Sequence, residues 1–246
     1  MGTVIVVTSG KGGTGKTSLT GGVASCLAAL GHRVLCIDMD IGLRNLDISL
    51  GLTDRAVMDF TDVLEGRCSL ERAAVAHPVI HGLHLLTAPV SAPPKALDEG
   101  RMRDMLAKAR QMFDYILIDS PAGLGSGFRL AACGADRAVV VSTNDSSALR
   151  DAQRTVAELS KSQNTIHLVM NRVQPKLMRR LRTTIDDAMD AAGLPLLGVV
   201  PEDSQVILAA NTAQPLILVS RKGAALAYLN IAKRLTGERV PLMHIR

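Results

Sequence analysis

The chain has 246 residues, 47% of them hydrophobic and 21% charged, which gives enough apolar material for a substantial core and argues against disorder. Aromatic residues make up only 2%, with no Trp, so rings on which bases could stack are scarce and a nucleic-acid partner is not expected. The net charge of +5 permits attraction to a phosphate-rich partner such as an anionic membrane surface. Cys26, Cys36, Cys68 and Cys133 form no C-x-x-C pair, which suits a reducing, cytoplasmic compartment. No run reaches the roughly 18 apolar residues of a membrane span. The first apolar run leads straight into a glycine loop, so no cleavable leader is expected.

Residues 4–7 open a series of short runs that are apolar throughout, as strands buried on both faces are. The string Gly10-Lys11-Gly12-Gly13-Thr14-Gly15-Lys16-Thr17 follows, with Ser18 beside it, and then a helix over 16–30 closed by Gly31. This is a full match to the phosphate-loop pattern in the strand–loop–helix context the pattern requires. Glycines let the backbone turn tightly and aim N–H groups at phosphate oxygens, and the helix N-terminus adds partial positive charge. Lys16 is expected to bridge the β- and γ-phosphates of ATP, and Thr17 to ligate Mg²⁺.

The run 34–37 ends in Asp38-Met39-Asp40. Carboxylates at strand ends lie at the edge where open α/β sheets bind nucleotides. Asp38 could hold a Mg²⁺-bound water and Asp40 could orient the attacking water; the competing reading is two solvated turn aspartates. A helix is predicted over 97–112. The run 115–118 ends in Asp119-Ser120-Pro121-Ala122-Gly123, where Asp119 reads as a Mg²⁺ carboxylate and Gly123 as a backbone donor that senses the γ-phosphate.

After the run 138–141, a helix is predicted over 146–160, with Ser146 or Ser147 as its N-cap. The run 168–170 leads into Asn171-Arg172-Val173-Gln174. The aspartate of the guanine-reading Asn-Lys-x-Asp element is missing, which favours adenine. A helix over 176–192 stops at Gly193-Leu194-Pro195, a weaker run covers 196–200, and a last helix spans 223–235. This alternation predicts a single-domain α/β P-loop NTPase over 1–246, a mostly parallel twisted sheet with helices on both faces and a short tail at 237–246. His77, His81 and His84 lie close in sequence, but Pro78 and Gly82 interrupt them and a metal site is not expected. Lys176, Arg179, Arg180 and Arg182 read as a solvated helix face, or else as phosphate contacts.

The lysine at the second loop position, Lys11 in Lys11-Gly-Gly-Thr-Gly-Lys-Thr, resembles the deviant Walker A loop of the MinD/ParA ATPases. Asp38-Met-Asp40-Ile-Gly42-Leu-Arg44-Asn45-Leu-Asp47 is similar to the switch I segment of the MinD branch, and Asp119-Ser-Pro-Ala-Gly123 to its switch II. Asn171-Arg172 and Pro201-Glu202-Asp203 are similar to segments beside the adenine. The likeness continues through 203–211, Gln214-Pro215, 227–235 and 237–242, nearly the whole chain. The resemblance implies ATP/ADP and Mg²⁺ as ligands and a homodimer that forms on ATP. It implies a Lys11 that reaches the partner's nucleotide, and an Asp40 nearest the hydrolytic water. It also implies a role in placing the division septum, with a division inhibitor of the MinC type and an ATPase-stimulating protein of the MinE type as partners. A cytoplasmic protein at the inner face of the cell membrane follows from the same likeness. A ParA-like or flagellar-placement ATPase is the alternative. A cluster-bearing redox ATPase would need paired cysteines, which are missing, and no sequence feature marks the substrate pocket of a ligase with this fold. Two departures stand out. Gly123 is followed by Leu124-Gly125-Ser126-Gly127 where the family commonly has an acidic residue. Residues 240–246 lack the basic amphipathic pattern of the family's membrane helix, and Met1-Gly2 is not followed by the Ser or Thr at position 6 that myristoylation needs.

Overall fold

The computed structural model describes residues 1–91, 97–163 and 165–243. Eight strands lie in one sheet: β1 (Thr3–Thr8), β2 (Val34–Asp38), β3 (Val75–Ala76), β4 (Leu83–Leu86), β5 (Tyr115–Asp119), β6 (Arg137–Ser142), β7 (Ile166–Val173) and β8 (Leu196–Pro201). Their order is β3-β4-β2-β5-β1-β6-β7-β8, and every pairing is parallel except β3 with β4. The helices in the first half are α1 (Lys16–Ala29), α2 (Leu46–Ser49), α3 (Phe60–Leu64), α4 (Leu70–Ala73), α5 (Glu99–Met112) and α6 (Ser126–Ala132). The second half adds α7 (Ser146–Leu159), α8 (Pro175–Leu181), α9 (Ile185–Ala192), α10 (Ser204–Asn211), α11 (Leu216–Val219) and α12 (Ala224–Leu235).

The continuous apolar runs have a direct cause. Val4 and Val6 of β1 point into one core with Met105 and Leu106 of α5, Ala152 of α7 and Ala188 of α9. Ile5 and Val7 point into the opposite core with Leu27 of α1 and Ile231 of α12. With helices on both faces, neither side of a central strand meets water, so alternation disappears. Close packing of α1 on α12 depends on Gly22, because a Cβ there would collide with the Tyr228 ring.

Three expectations are corrected. The helix expected over 176–192 is two helices. Arg182 ends α8 in the left-handed region at φ 53°, and a capping box of Thr184 and Asp187 starts α9. The N-cap of α7 is Asp145, whose side chain accepts from the Ala148 N–H, and neither Ser146 nor Ser147 fills that role. The helix expected from 97 begins at Glu99, with Asp98 as its cap. Residues 237–243 carry no helix, and 244–246 of the expected tail lie outside the described residues.

His77 is buried and uses both ring nitrogens. Its Nε2 meets the Leu50 carbonyl at 3.0 Å, and Nδ1 accepts from the Val79 and Ile80 N–H groups. The ring thus ties the end of α2 to the β3–β4 hairpin in its neutral form. Burial is the main cause that pushes its pKa below the usual 6.5. The folded state therefore holds this proton less tightly than the unfolded chain, and the associated stability is present above that usual value and lost as pH falls below it. The melting temperature should drop between pH 7.5 and 5.5, and His77→Asn, which keeps an acceptor for the two N–H groups, should show a shallower drop. Equal slopes in both proteins would remove His77 from the account.

Candidate active site

The parallel strands deliver their C-terminal ends to one edge, and a cavity of about 720 Å³ opens there. It brings together Gly12, Gly13, Gly15, Lys16, Thr17, Ser18, Asp40, Asn171, Arg172, Pro201, Glu202 and Asp203 among the expected residues. Gly10, Lys11, Thr14, Asp38, Asp119 and Gly123 do not line it, each for a visible reason. Gly10 lies against the backbone of Asp151 in α7, where a Cβ would collide. Thr14, Asp38 and Asp119 are buried beneath the wall. Gly123 takes φ +84° in an open loop, a conformation that favours glycine, and a Cβ there would meet nothing within 4 Å.

The floor of the site is a pair of carboxylates. Asp38 and Asp119 end adjacent strands in register and are 0% and 1% exposed. Desolvation dominates both, and it pushes Asp38 up to about 6 and Asp119 up to about 7. Asp119 accepts from the Thr17 hydroxyl at 2.6 Å and the Thr20 hydroxyl at 3.3 Å, which fastens it to α1. Asp38 accepts from the Asp40 N–H at 2.9 Å and the Leu46 N–H at 3.0 Å, which fastens it to the segment leading into α2. Lys16 is 8% exposed, and burial lowers its pKa against the opposing pull of Asp119 and Asp40.

These residues fit a magnesium nucleotide. A buried ammonium with no ion pair among the described residues and two desolvated carboxylates await opposite charges. The hydroxyl of Thr17 and the two carboxylates form an all-oxygen donor set, which suits Mg²⁺. Gly12 and Gly13 face open space, and the buried Thr14 hydroxyl has no partner in the protein.

Lys11 is held elsewhere. Its Nζ donates to Asp145 Oδ1 at 3.2 Å and to Ser147 Oγ at 2.7 Å, at the exposed start of α7. The Thr143 and Ser147 hydroxyls keep the Asp145 carboxyl well below its usual range, with Lys11 adding to the effect.

At the other end of the cavity, side chains expected near the base are already committed. Asn171 donates to the Thr14 carbonyl at 2.8 Å, and its amide packs where a Gly15 Cβ would be. It braces the phosphate loop. The two Asp203 oxygens accept from the Gln205 and Ala224 N–H groups, so this carboxylate caps the starts of α10 and α12. Arg172 and Glu202 form a paired contact at 2.8 and 3.2 Å. The apolar wall is Val200, Val206, Ile207, Ala210 and Tyr228, none of it foreseen. The signal for Tyr228 was Gly21-Gly22 in the middle of a helix, which marks a close approach by another element.

The family model described as the CobQ/CobB/MinD/ParA nucleotide binding domain matches residues 5–216. The chain belongs to this nucleotide-binding family. It is 42% identical to the septum site-determining protein MinD of Bacillus subtilis (strain 168), over 98% of this chain and 92% of that one. It is 40% identical to the MinD of Thermotoga maritima, over 98% and 91%. Among solved structures it is similar to the MinC:MinD cell division protein complex of Aquifex aeolicus, with a TM-score of 0.91 and 38% identity over 98% of each chain. It is also similar to MinD complexed with Mg-ADP from Pyrococcus horikoshii OT3, with a TM-score of 0.83 and 28% identity over 96% of each chain. The family, the full-length likeness and the site together make the chain a P-loop ATPase.

If the contact with the Thr14 carbonyl is what Asn171 contributes, Asn171→Ala should weaken ADP and GDP binding by the same factor. Loss of one buried hydrogen bond corresponds to about tenfold. Calorimetric titration with both nucleotides checks this; a change in the ADP-to-GDP ratio would make Asn171 a base-reading residue instead.

Proposed function

We propose that the chain is a Mg²⁺-dependent ATPase that pairs with a second copy on binding ATP, separates on hydrolysis and acts in placing the division septum. The observation that carries the reading is the joint placement of Lys16, Thr17, Asp38, Asp40 and Asp119 at one sheet edge, in a chain so similar to septum site-determining proteins. The residues would act as one unit spanning 1–246, in the cytoplasm and peripherally at the inner face of the cell membrane.

Lys16 sits in a desolvated pocket, where its charge counts for more than it would in water, and it would neutralise the phosphate oxygens of ATP. The N–H groups of Gly12 to Thr17 would hold the same oxygens at the start of α1. Mg²⁺, ligated by Thr17 with Asp38 and Asp119 directly or through water, would supply charge neutralisation as the terminal phosphate leaves. Asp40 lines the cavity and would orient the attacking water. The backbone of Gly123 would donate to the γ-phosphate and pass its presence to the following loop.

Lys11 needs a second subunit to complete its task. In this chain it is parked on Asp145 and Ser147, with the Lys11 and Asp145 side chains 46% and 50% exposed. An exposed pair of this kind contributes roughly 0–1 kcal/mol, so a facing nucleotide can win the lysine at little cost. Its charge would then offset the negative charge that builds up on the partner's nucleotide. A division inhibitor of the MinC type and an ATPase-stimulating protein would bind the ATP-joined pair. The first of these is suggested by the similar complex from Aquifex aeolicus.

Three variants separate these roles. Lys16→Ala should lose ATP binding and turnover together. Asp40→Ala should retain ATP binding and lose turnover by about 100-fold or more. Lys11→Ala should bind ADP as the wild type does and lose turnover. Steady-state phosphate release with parallel nucleotide titrations reads all three, and normal turnover in Lys11→Ala would end the cross-subunit role.

A further inference from the structure

From 159 to 185 the chain contains no Asp or Glu, yet it carries Lys161, Arg172, Lys176, Arg179, Arg180 and Arg182. Four of these cations fall on or just after α8. None of those four makes an ion pair among the described residues, and all four are exposed. The contact of Arg179 within that set is its Nε to the Pro175 carbonyl at 3.4 Å, inside the same helix.

Helix α8 also exposes apolar surface. Met178 faces the core at 9% exposure, whereas Leu177 and Leu181 are 44% and 53% exposed. With about 100° per residue, Leu177 and Leu181 form a stripe on one flank of the helix. Lys176 and Arg180 form the next stripe, pointing directly away from the core. Arg179 lies on the opposite flank, at the mouth of a second cavity of about 880 Å³.

That cavity is an apolar groove with Met178, Val199, Leu242 and Met243 in its walls. Arg179 and Asp186 are its charged side chains. Its outer wall is held in place. The Arg234 guanidinium donates to the Val240 and Pro241 carbonyls at 3.0 and 2.7 Å and to Leu197 of the edge strand at 2.9 Å. The tail is thereby laid along the sheet edge, with Leu242 still 49% exposed. Across α8, the surface thus runs from exposed leucines through a band of unpaired cations to an apolar groove.

We propose that this face, α8 with Leu177 and Leu181 together with the adjoining groove, is a contact surface for an anionic phospholipid membrane. Cations between two apolar strips match a layer of phosphate headgroups over acyl chains. Duplex DNA would match the cations and leave the leucines and the groove without a role. The inference rests on the membrane-peripheral part of the reading above. It is independent of the ATPase part, since no residue of this face was placed in the nucleotide machinery.

The test is co-sedimentation of the full chain, without nucleotide, with vesicles of phosphatidylglycerol mixed into phosphatidylcholine, beside pure phosphatidylcholine vesicles and a short DNA duplex. The wild type should pellet with the anionic vesicles alone, less so as salt is raised. Leu177→Ser with Leu181→Ser should lower partitioning by about tenfold, and Lys176→Gln with Arg180→Gln by a similar factor, with melting temperature and ATP binding unchanged in both. Three results would overturn the proposal: no pelleting of the wild type, pelleting of both variants at the wild-type level, or binding to the duplex in place of the vesicles. A chain that binds ATP normally and ignores vesicles would overturn this surface and leave the ATPase reading intact.

Discussion

Two carboxylates that cannot reach water organise this molecule. Asp38 and Asp119 stand side by side at the ends of β2 and β5, and burial works against the charge of each. An isolated protein would gain by replacing such a pair with neutral groups. The chain keeps them and surrounds them with donors: two hydroxyls of α1 on Asp119, and the N–H groups of Asp40 and of Leu46 at the start of α2 on Asp38. The phosphate-loop helix and the loop carrying Asp40 are therefore held by the same desolvated floor. A change in its charge reaches both.

The rest of the site is arranged around that floor. Asn171 and Asp203 lie at the other end of the cavity, where the Asn171 amide nitrogen is given to the loop carbonyl and both Asp203 oxygens to two helix starts. These hydrogen bonds tie the two side chains to the protein itself. The apolar wall around Tyr228 lines the cavity beside them. Lys11 is the opposite case. It is fastened only by exposed partners, so it can be transferred.

Much of this could be read in the sequence, and the reason is physical. Strands covered on both faces lose their alternation, so residues 4–7, 34–37 and 115–118 announce a parallel sheet. A glycine loop between a strand and a helix announces a phosphate site. What stayed hidden depended on tertiary context. The break at Arg182 needs a left-handed backbone that no local pattern demands of arginine, and the capping box that restarts the helix uses Asp in place of the commoner Glu. Strand β4 is four residues long and carries a His, too short to show a period. Tyr228 is more than 200 residues from the loop whose pocket it closes, and only the paired glycines of α1 hinted that something large approaches there. The positions of Asn171 and Asp203 were visible, but their hydrogen-bond partners were not.

The most direct test of the central role of the buried pair is thermal melting of the wild type and Asp119→Asn, each alone, with ADP, and with ADP and Mg²⁺. Removing a desolvated charge while keeping one acceptor oxygen for Thr17, with the new amide N–H donating to the Thr20 hydroxyl, which already donates to the Lys16 carbonyl, should leave the ligand-free variant at least as stable as the wild type. Mg²⁺ with ADP should then raise the wild-type melting temperature well beyond ADP alone, and should add little to the variant. A variant that is much less stable without ligand, and that gains from Mg²⁺ as much as the wild type does, would contradict the account and make Asp119 an ordinary structural acceptor.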